Sequence, residues 1–164
     1  MISIRRAAQS DARVIARHRV EMFRDMGQVP TEGLAAVLLA ESTSALASAL
    51  GDGSYAGWLA LDRADRVVGG AGVHIKPQFP RVMPDGTAVA SGAVPLVVNV
   101  YTEPEWRRKG VARALMTALM EWAVQQGCDR IVLHASDAGR ALYTSLGFKP
   151  TNEMRWSRAH REDV

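Results

Sequence analysis

The stretch EPEWRRKGVARALM, residues 103–116, joins a β-branched segment to the clearest helical pattern in the chain. Pro104 marks the end of the preceding strand, AVPLVVNVYT, because proline has no N–H to donate within a sheet. Apolar residues then recur at helical spacing through VARALMTALMEWAVQQG. Between the two segments stand the basic residues 107–109 and Gly110. The stretch therefore predicts a strand, a short basic loop and the start of a helix.

A helix start of this kind can bind an anion. Its first N–H groups have no partner inside the helix, and the helix dipole adds partial positive charge there. A phosphate can be held by these donors, and Gly110 lets the backbone approach it without a Cβ in the way. The basic side chains would add attraction. The pattern also fits a solvated charged surface, and it is neither the Walker phosphate-binding motif nor the dinucleotide fingerprint.

Patterns along the rest of the chain predict the element order β-α-α-β-β-β-α-β-α-β. Helices are expected over QSDARVIARHRVEMFRDMG and over residues 32–50, and strands in ISIRRA, YAGWLALD and VVGGAGVHI. A last strand is expected in NEMRWSR. Residues 76–92 are rich in proline and glycine and are expected to form a long loop. This order is that of one α+β domain over residues 1–164.

Composition limits the classes of function. With 48% apolar and 23% charged residues, the chain has the balance of a soluble globular protein. No apolar run is expected to span a bilayer, the N-terminus has no secretory pattern, and the lone Cys128 leaves no zinc spacing. We therefore expect a cytoplasmic protein with no metal and no membrane partner. The formal net charge is +3, and acidic residues are interspersed, which argues against nucleic acid as a partner.

Two motifs together resemble a known family. Arg107-x-x-Gly110-x-Ala112 is similar to the R/Q-x-x-G-x-G/A signature of the GNAT N-acetyltransferases. Further along, SDAGRALYTSLGF resembles that family's N-x-x-A-x-x-x-Y-x-x-x-G-F segment, with Ser136 at the asparagine position and Gly139 at the alanine position. The residues that match this segment outright are Tyr143, Gly147 and Phe148.

The resemblance implies a fold and a cosubstrate. The GNAT fold is an α+β fold with a mixed, mostly antiparallel central sheet flanked by helices, and its fourth and fifth strands splay apart. Acetyl-CoA would enter that cleft, with its pyrophosphate on the loop and its pantetheine along the fourth strand like an added β-strand. The residues that the resemblance assigns to acetyl-CoA are Val100, Tyr101, Thr102, Arg107, Arg108, Lys109, Gly110, Val111, Ala112, Arg113 and Ser136.

The resemblance also implies the chemistry. A neutral amine would attack the thioester carbonyl directly and form a tetrahedral intermediate, with an oxyanion donor at an N–H near Val100. Tyr143 would act as general acid toward the leaving thiolate, although it could instead simply pack within its helix. Candidate bases are His134, Glu103 and, less favoured, His74. Each could be structural, since many members of the family pass the proton along ordered waters.

The acceptor is expected to be a primary amine of a small or amino-acid-like molecule. The alternatives are a protein N-terminus or a lysine, or a catalytically inactive acyl-CoA-binding module. Glu21 and Asp25 could attract a cationic amine, and Arg24 could bind a carboxylate, unless they are ordinary exposed helix residues. Asn99 could line the acceptor cleft or be a satisfied buried polar group. The sequence is compatible with a monomer or a homodimer.

Overall fold

A five-stranded sheet forms the centre of residues 1–134, with the strand order β1-β2-β3-β4-β5. The computed structural model describes residues 1–83 and 85–154. The chain divides into two units, Met1–His134 and Ala135–Val164. The elements of the first unit are β1 (Ser3–Arg6), α1 (Ala12–Asp25), α2 (Glu32–Asp52), β2 (Tyr55–Leu61), β3 (Val67–Val82), β4 (Val89–Thr102), α3 (Val111–Gln125) and β5 (Val132–Leu133).

The sheet is mixed. Neighbouring strands from β1 to β4 are antiparallel, whereas β4 and β5 are parallel. This arrangement, with helices packed against the sheet, confirms the predicted α+β class and the mixed sheet. Of the predicted element order, every element up to the last helix is present.

The helices of the first unit cover both faces of the sheet. Successive residues of a strand point to opposite faces, and a Cβ built on Gly69 would meet Val111 and Leu115 of α3, whereas one built on Gly70 would meet His18 of α1. The α1 face therefore lies opposite the α3 face. Because both faces are covered, every residue of β2 is buried.

The core on the α1 face joins three elements. It is formed by Ala12, Ile15 and Ala16 of α1, Leu46 of α2, and Tyr55 and Leu59 of β2. α2 begins with the Thr31 side chain accepting a hydrogen bond from the Leu34 N–H. By length and composition alone, α2 could also cross a bilayer. The sequence predicts no such run, and the difference arises because the leucine and alanine residues of α2 raise its mean hydropathy although serine, threonine and acidic residues interrupt the apolar run.

The prediction of a long loop over residues 76–92 is wrong. β3 and β4 continue as a two-stranded ribbon, pairing Lys76 with Val94 and Val82 with Val89, with a register shift between Gln78 and Arg81. Prolines are tolerated in such a ribbon because each strand has an outer edge on which no backbone donor is needed. The connection between the two strands is therefore only residues 83–88.

The second unit contains helix α4 (Asp137–Ser145). Gly147 follows it with a positive φ of 92°, as expected for the predicted stop. Residues 151–154 have no regular secondary structure. The strand predicted in NEMRWSR lies mostly outside the described residues.

Candidate active site

At the start of α3, the path of the backbone leaves amides without acceptors in the helix. We call residues 108–113 the α3 entrance. A short 3₁₀ turn at Pro104–Trp106 ends the path of β4. Arg108 and Gly110 then both adopt left-handed conformations, with φ of 62° and 83°. Gly110 is the N-cap of α3, and no side chain caps the helix there. The amides of the first helical turn thus have neither a helical acceptor nor a side-chain cap.

The basic side chains of this loop are partly committed within the protein. Arg107 donates from Nη2 to Asp25 Oδ2 at 2.6 Å and from Nε to the Thr102 carbonyl at 3.1 Å. The Lys109 ammonium lies 5.4 Å from the centre of the Trp106 ring. Arg107 therefore ties the loop to β4 and α1, which is a structural role that the sequence motif did not indicate.

β4 has an open edge beside the α3 entrance. β5 pairs with β4 only at Leu96–Val132 and Val97–Leu133. From residue 98 to Thr102, β4 has β3 on one side and no described strand on the other. The predicted splay of the fourth and fifth strands is thereby confirmed. Val100, Tyr101 and Thr102, the residues expected to pair with pantetheine, all lie on this open stretch.

A β-bulge interrupts β4 at the beginning of the open edge. Gly72 pairs with Val98 and Gly70 with Tyr101, so β4 carries one residue more than β3 between these pairs. Asn99 lies in this bulge with a φ of 59°. The extra residue changes the alternation of the strand, and both Val98 and Tyr101 face α1.

Asn99 is at the centre of a buried polar group. Its Oδ1 accepts a hydrogen bond from Arg19 Nη1 at 2.7 Å, and its side chain is also hydrogen-bonded to the Tyr55 hydroxyl. Burial raises the pKa of Tyr55 to about 12, despite the opposing effects of Asn99 and the Arg19 charge. Asn99 is therefore a satisfied buried polar residue, as one of the two sequence interpretations held. Arg19 was missed, because on α1 it reads as one more exposed basic residue.

Glu103 lies beyond the open edge and contacts two consecutive residues of α1. Its Oε1 accepts from Arg17 Nη2 at 2.5 Å and lies 3.5 Å from His18 Nε2. His18 is only 1% exposed and has a tilted ring contact with Tyr101 at 5.0 Å. Burial, followed by the nearby Arg17 charge, lowers the pKa of His18 to about 4, although Glu103 opposes this shift. His18 is therefore a neutral imidazole at neutral pH. We call Arg17, His18, Arg19, Asn99 and Glu103 the α1 cluster.

The two other histidines considered as bases are placed differently. His134 follows the last residue of β5 and is exposed. His74 is exposed on β3 and pairs with Tyr55, the first residue of β2. β1 pairs with the other end of β2. Of the predicted base candidates, Glu103 is the one that the fold holds in a network of side chains on the α1 face.

The charged residues of α1 that were considered for acceptor binding are already paired. Arg24 donates to Glu21 at 2.9 Å and to Glu32 at 2.7 Å, and Asp25 accepts from Arg107. Each of these three charged side chains therefore has an ion-pair partner within the protein. Across the described residues, no group of three or more His, Cys, Asp and Glu side chains is arranged to hold a metal ion.

The second unit holds the remaining predicted residues. Ser136 is the N-cap of α4, and its hydroxyl accepts from the Gly139 N–H at 3.3 Å. Tyr143 makes an edge-on contact with Phe148, with ring centres 6.0 Å apart, and burial raises the pKa of its hydroxyl. A Cβ on Gly139 would come within 2.7 Å of the Tyr143 ring. Glycine at this position thus lets the Tyr143 ring lie close to the helix backbone.

Solved structures with this fold extend over nearly the whole chain. A GCN5-related N-acetyltransferase from Ralstonia eutropha superimposes with a TM-score of 0.82 and 27% identity, covering 98% of this chain and 100% of that one. A predicted acetyltransferase from Clostridium acetobutylicum, solved with acetyl-CoA, has a TM-score of 0.80 over 96% of both chains. At 23% identity, the second likeness shows the fold alone.

The sequence relatives described here are also N-acetyltransferases. An aminoglycoside N(6')-acetyltransferase type 1 from Stenotrophomonas maltophilia is 29% identical over 95% of this chain and 92% of that protein. A glucosamine 6-phosphate N-acetyltransferase from Trypanosoma brucei brucei is 32% identical over 51% of this chain, and the match spans about half, 52%, of that protein. The profile described as "Acetyltransferase (GNAT) family" matches residues 20–148. The chain therefore belongs to the GNAT family of acetyltransferases.

Proposed function

We propose that the protein is an N-acetyltransferase that transfers the acetyl group of acetyl-CoA to a primary amine of a small acceptor. The observation that carries this proposal is the open edge of β4, residues 98–102, which leads directly to the uncapped α3 entrance. A strand edge and a helix start in series match the two polar parts of CoA, its pantetheine amides and its pyrophosphate.

The α3 entrance fits a pyrophosphate. Arg108 and Gly110 are both left-handed, and left-handed residues are typical of the backbone turns whose successive N–H groups form concave anion sites. Apart from Gly110 itself and its neighbours in the chain, nothing in the described protein lies within 4 Å of the position that a Gly110 Cβ would take. The space there is therefore open to a ligand. Arg108, Lys109, Gly110, Val111, Ala112 and Arg113 supply the amides.

The open edge of β4 fits the pantetheine. Val100 and Thr102 lie on the stretch of β4 that β5 leaves unpaired, so a ligand with alternating amide donors and acceptors can take the place of a strand. The Thr102 carbonyl already accepts from Arg107 Nε. This hydrogen bond sets where the added strand must end, immediately before the turn that begins at Pro104.

Bound acetyl-CoA supplies a thioester, which an amine can attack without prior activation by the protein. The chain has to stabilise the oxyanion, accept a proton from the amine and protonate the thiolate. The N–H near Val100 is our candidate oxyanion donor. Tyr143 is our candidate acid, and its raised pKa keeps the hydroxyl protonated at neutral pH. Glu103 is our candidate proton acceptor, acting directly or through water, with its carboxylate held by Arg17.

Calorimetry combined with a thiol-release assay tests the proposal. Acetyl-CoA should bind with a dissociation constant in the micromolar range, and CoA thiol should appear when an amine panel is added. Absence of binding at high micromolar acetyl-CoA would overturn the proposal. Binding without turnover over a broad panel of small amines and peptides would instead favour an inactive acyl-CoA-binding module, and turnover with peptides alone would favour a protein acceptor.

A further inference from the structure

Arg19 differs from the other arginines that the fold partly buries. Three arginines of the described residues are half-buried, and they are Arg19, Arg24 and Arg81. Arg24 pairs with Glu21 and Glu32, and Arg81 pairs with Asp129. Arg19 has no carboxylate within ion-pair distance among the described residues, and its protein hydrogen bond goes to the neutral amide of Asn99.

An arginine in this state has unused binding capacity. The guanidinium carries five N–H donors, and one of them is used by Asn99. Burial lowers the pKa of Arg19, yet an arginine stays charged at any ordinary pH. Partly buried charges are normally paired, because removing a charge from water is costly without a counter-charge. No carboxylate of the described residues lies within ion-pair distance of Arg19 to balance its charge.

The side chain is also held in place. Its guanidinium lies over the Phe23 ring, 4.8 Å from the ring centre, and Asn99 fixes one of its ends. Phe23 lies one turn along α1, and Asn99 lies in the bulge where the open edge of β4 begins. A fixed arginine loses little conformational freedom on binding an anion, so the site is organised in advance.

We propose that Arg19 binds an anionic group of the acceptor, and that the preferred acceptor is therefore a primary amine that also carries a carboxylate or a phosphate. This inference rests on the proposed function and narrows its substrate class. It assigns the anion contact to Arg19, and not to Arg24, whose guanidinium is occupied by Glu21 and Glu32. The inference also distinguishes between two classes of acceptor. An amine on a sugar phosphate carries an anionic group for Arg19 to bind, whereas a polycationic aminoglycoside does not.

Matched pairs of acceptors test the inference. The panel contains an α-amino acid with its amide, and glucosamine 6-phosphate with glucosamine, together with one aminoglycoside. The wild type should show a higher kcat/KM for the anionic member of at least one pair by about tenfold or more. The pair in which this happens distinguishes a carboxylate acceptor from a phosphate acceptor.

Variants then locate the contact. A hydrogen-bonded contact to a charged group is worth about 1.5–3 kcal/mol, so Arg19→Gln should lower kcat/KM for the anionic acceptor by about 10- to 100-fold. Turnover of the matched acceptor that lacks the anionic group should change by less than about threefold, because that acceptor has no anion for Arg19 to bind. Arg19→Lys should recover part of the loss. Arg24→Gln is the matched control on the same helix and should leave the anionic preference intact.

The possible outcomes distinguish a failure of the inference about Arg19 from a failure of the proposed function. Equal losses for both members of a pair in Arg19→Gln would mean that Arg19 only supports the bulge, and would overturn the inference. Preference of the wild type for neutral or polycationic amines would overturn it as well, while leaving the proposed function standing. No thiol release with any amine would overturn the proposed function itself.

Discussion

The α3 entrance and the α1 cluster flank the same open edge of β4, but they are built from different parts of the chain. At the α3 entrance, the groups offered to a ligand are backbone amides, and the neighbouring side chains of Arg107 and Lys109 are directed to Asp25 and Trp106. In the α1 cluster, the polar groups are the side chains themselves. The first site therefore depends on the path of the backbone, whereas the second depends on which residues occupy a few positions of α1 and β4.

The largest expected effect comes from placing a negative charge in the backbone site. Asparagine and aspartate both tolerate the left-handed conformation that Gly110 adopts at a φ of 83°. Gly110→Asp should therefore fold but repel the pyrophosphate. A unit charge at about 4 Å costs about 4 kcal/mol at an effective dielectric constant of about 20, which is close to a thousandfold loss of acetyl-CoA affinity by calorimetry.

Gly110→Asn is the control for shape, and Lys109→Ala is the comparison for side-chain charge. Asparagine should cost far less affinity than aspartate. Removing the Lys109 ammonium should weaken binding only a few fold, as expected for an exposed charge. Equal losses in Gly110→Asp and Lys109→Ala would mean that side chains, and not the backbone, hold the cosubstrate.

The next effect concerns the α1 cluster and pH. His18 has a pKa of about 4 in the folded protein, against about 6.5 in the unfolded chain. The unfolded state therefore binds more protons between these values, so the free energy of unfolding should fall as the pH decreases from 6.5 toward 4. The change assigned to His18 is roughly 3 kcal/mol, and it is absent above pH 6.5.

Denaturant unfolding of the wild type and His18→Gln across this pH range measures that effect. The variant has no imidazole to protonate, so its free energy of unfolding should decrease less steeply below pH 6.5, whatever its stability at pH 7. Identical slopes in the two proteins would show that the folded protein does not hold His18 as a neutral imidazole.

The same contrast explains what the sequence could predict. The α3 entrance is encoded locally, because Pro104, Gly110 and the helical pattern after it each mark a backbone conformation. The α1 cluster is not, because Arg19 and Asn99 are 80 positions apart and meet only through the fold. From sequence, Arg24 and Arg19 are equivalent basic residues on α1, and only their partners separate them.

The ribbon in residues 76–92 shows a second limit. Prolines and glycines indicate breaks in regular structure, but they do not reveal whether a neighbouring strand is present. Here β3 and β4 supply each other's partner beyond the point where β2 ends, and the prolines are accommodated within the paired segments. Proline and glycine therefore predicted a loop in residues 76–92, whereas pairing between β3 and β4 makes most of this segment a β-ribbon.

Tyr143 tests the proposed chemistry apart from binding. General acid catalysis contributes about 10²–10⁴ in rate, so Tyr143→Phe should lower kcat by about a hundredfold and leave the affinity for acetyl-CoA within about twofold. Gly139→Ala keeps the hydroxyl but places a methyl carbon 2.7 Å from the Tyr143 ring, which must shift, so kcat should fall by less. Unchanged kcat in Tyr143→Phe would remove this residue from the mechanism.

The central claim is that backbone amides hold the cosubstrate, and amide hydrogen exchange with and without acetyl-CoA tests it most directly. Residue-resolved exchange should slow by about tenfold or more at the amides of residues 108–113. Slower exchange is also expected along residues 98–102, the open edge of β4. Binding of acetyl-CoA that leaves the exchange of residues 108–113 unchanged, while protecting amides elsewhere, would contradict the account.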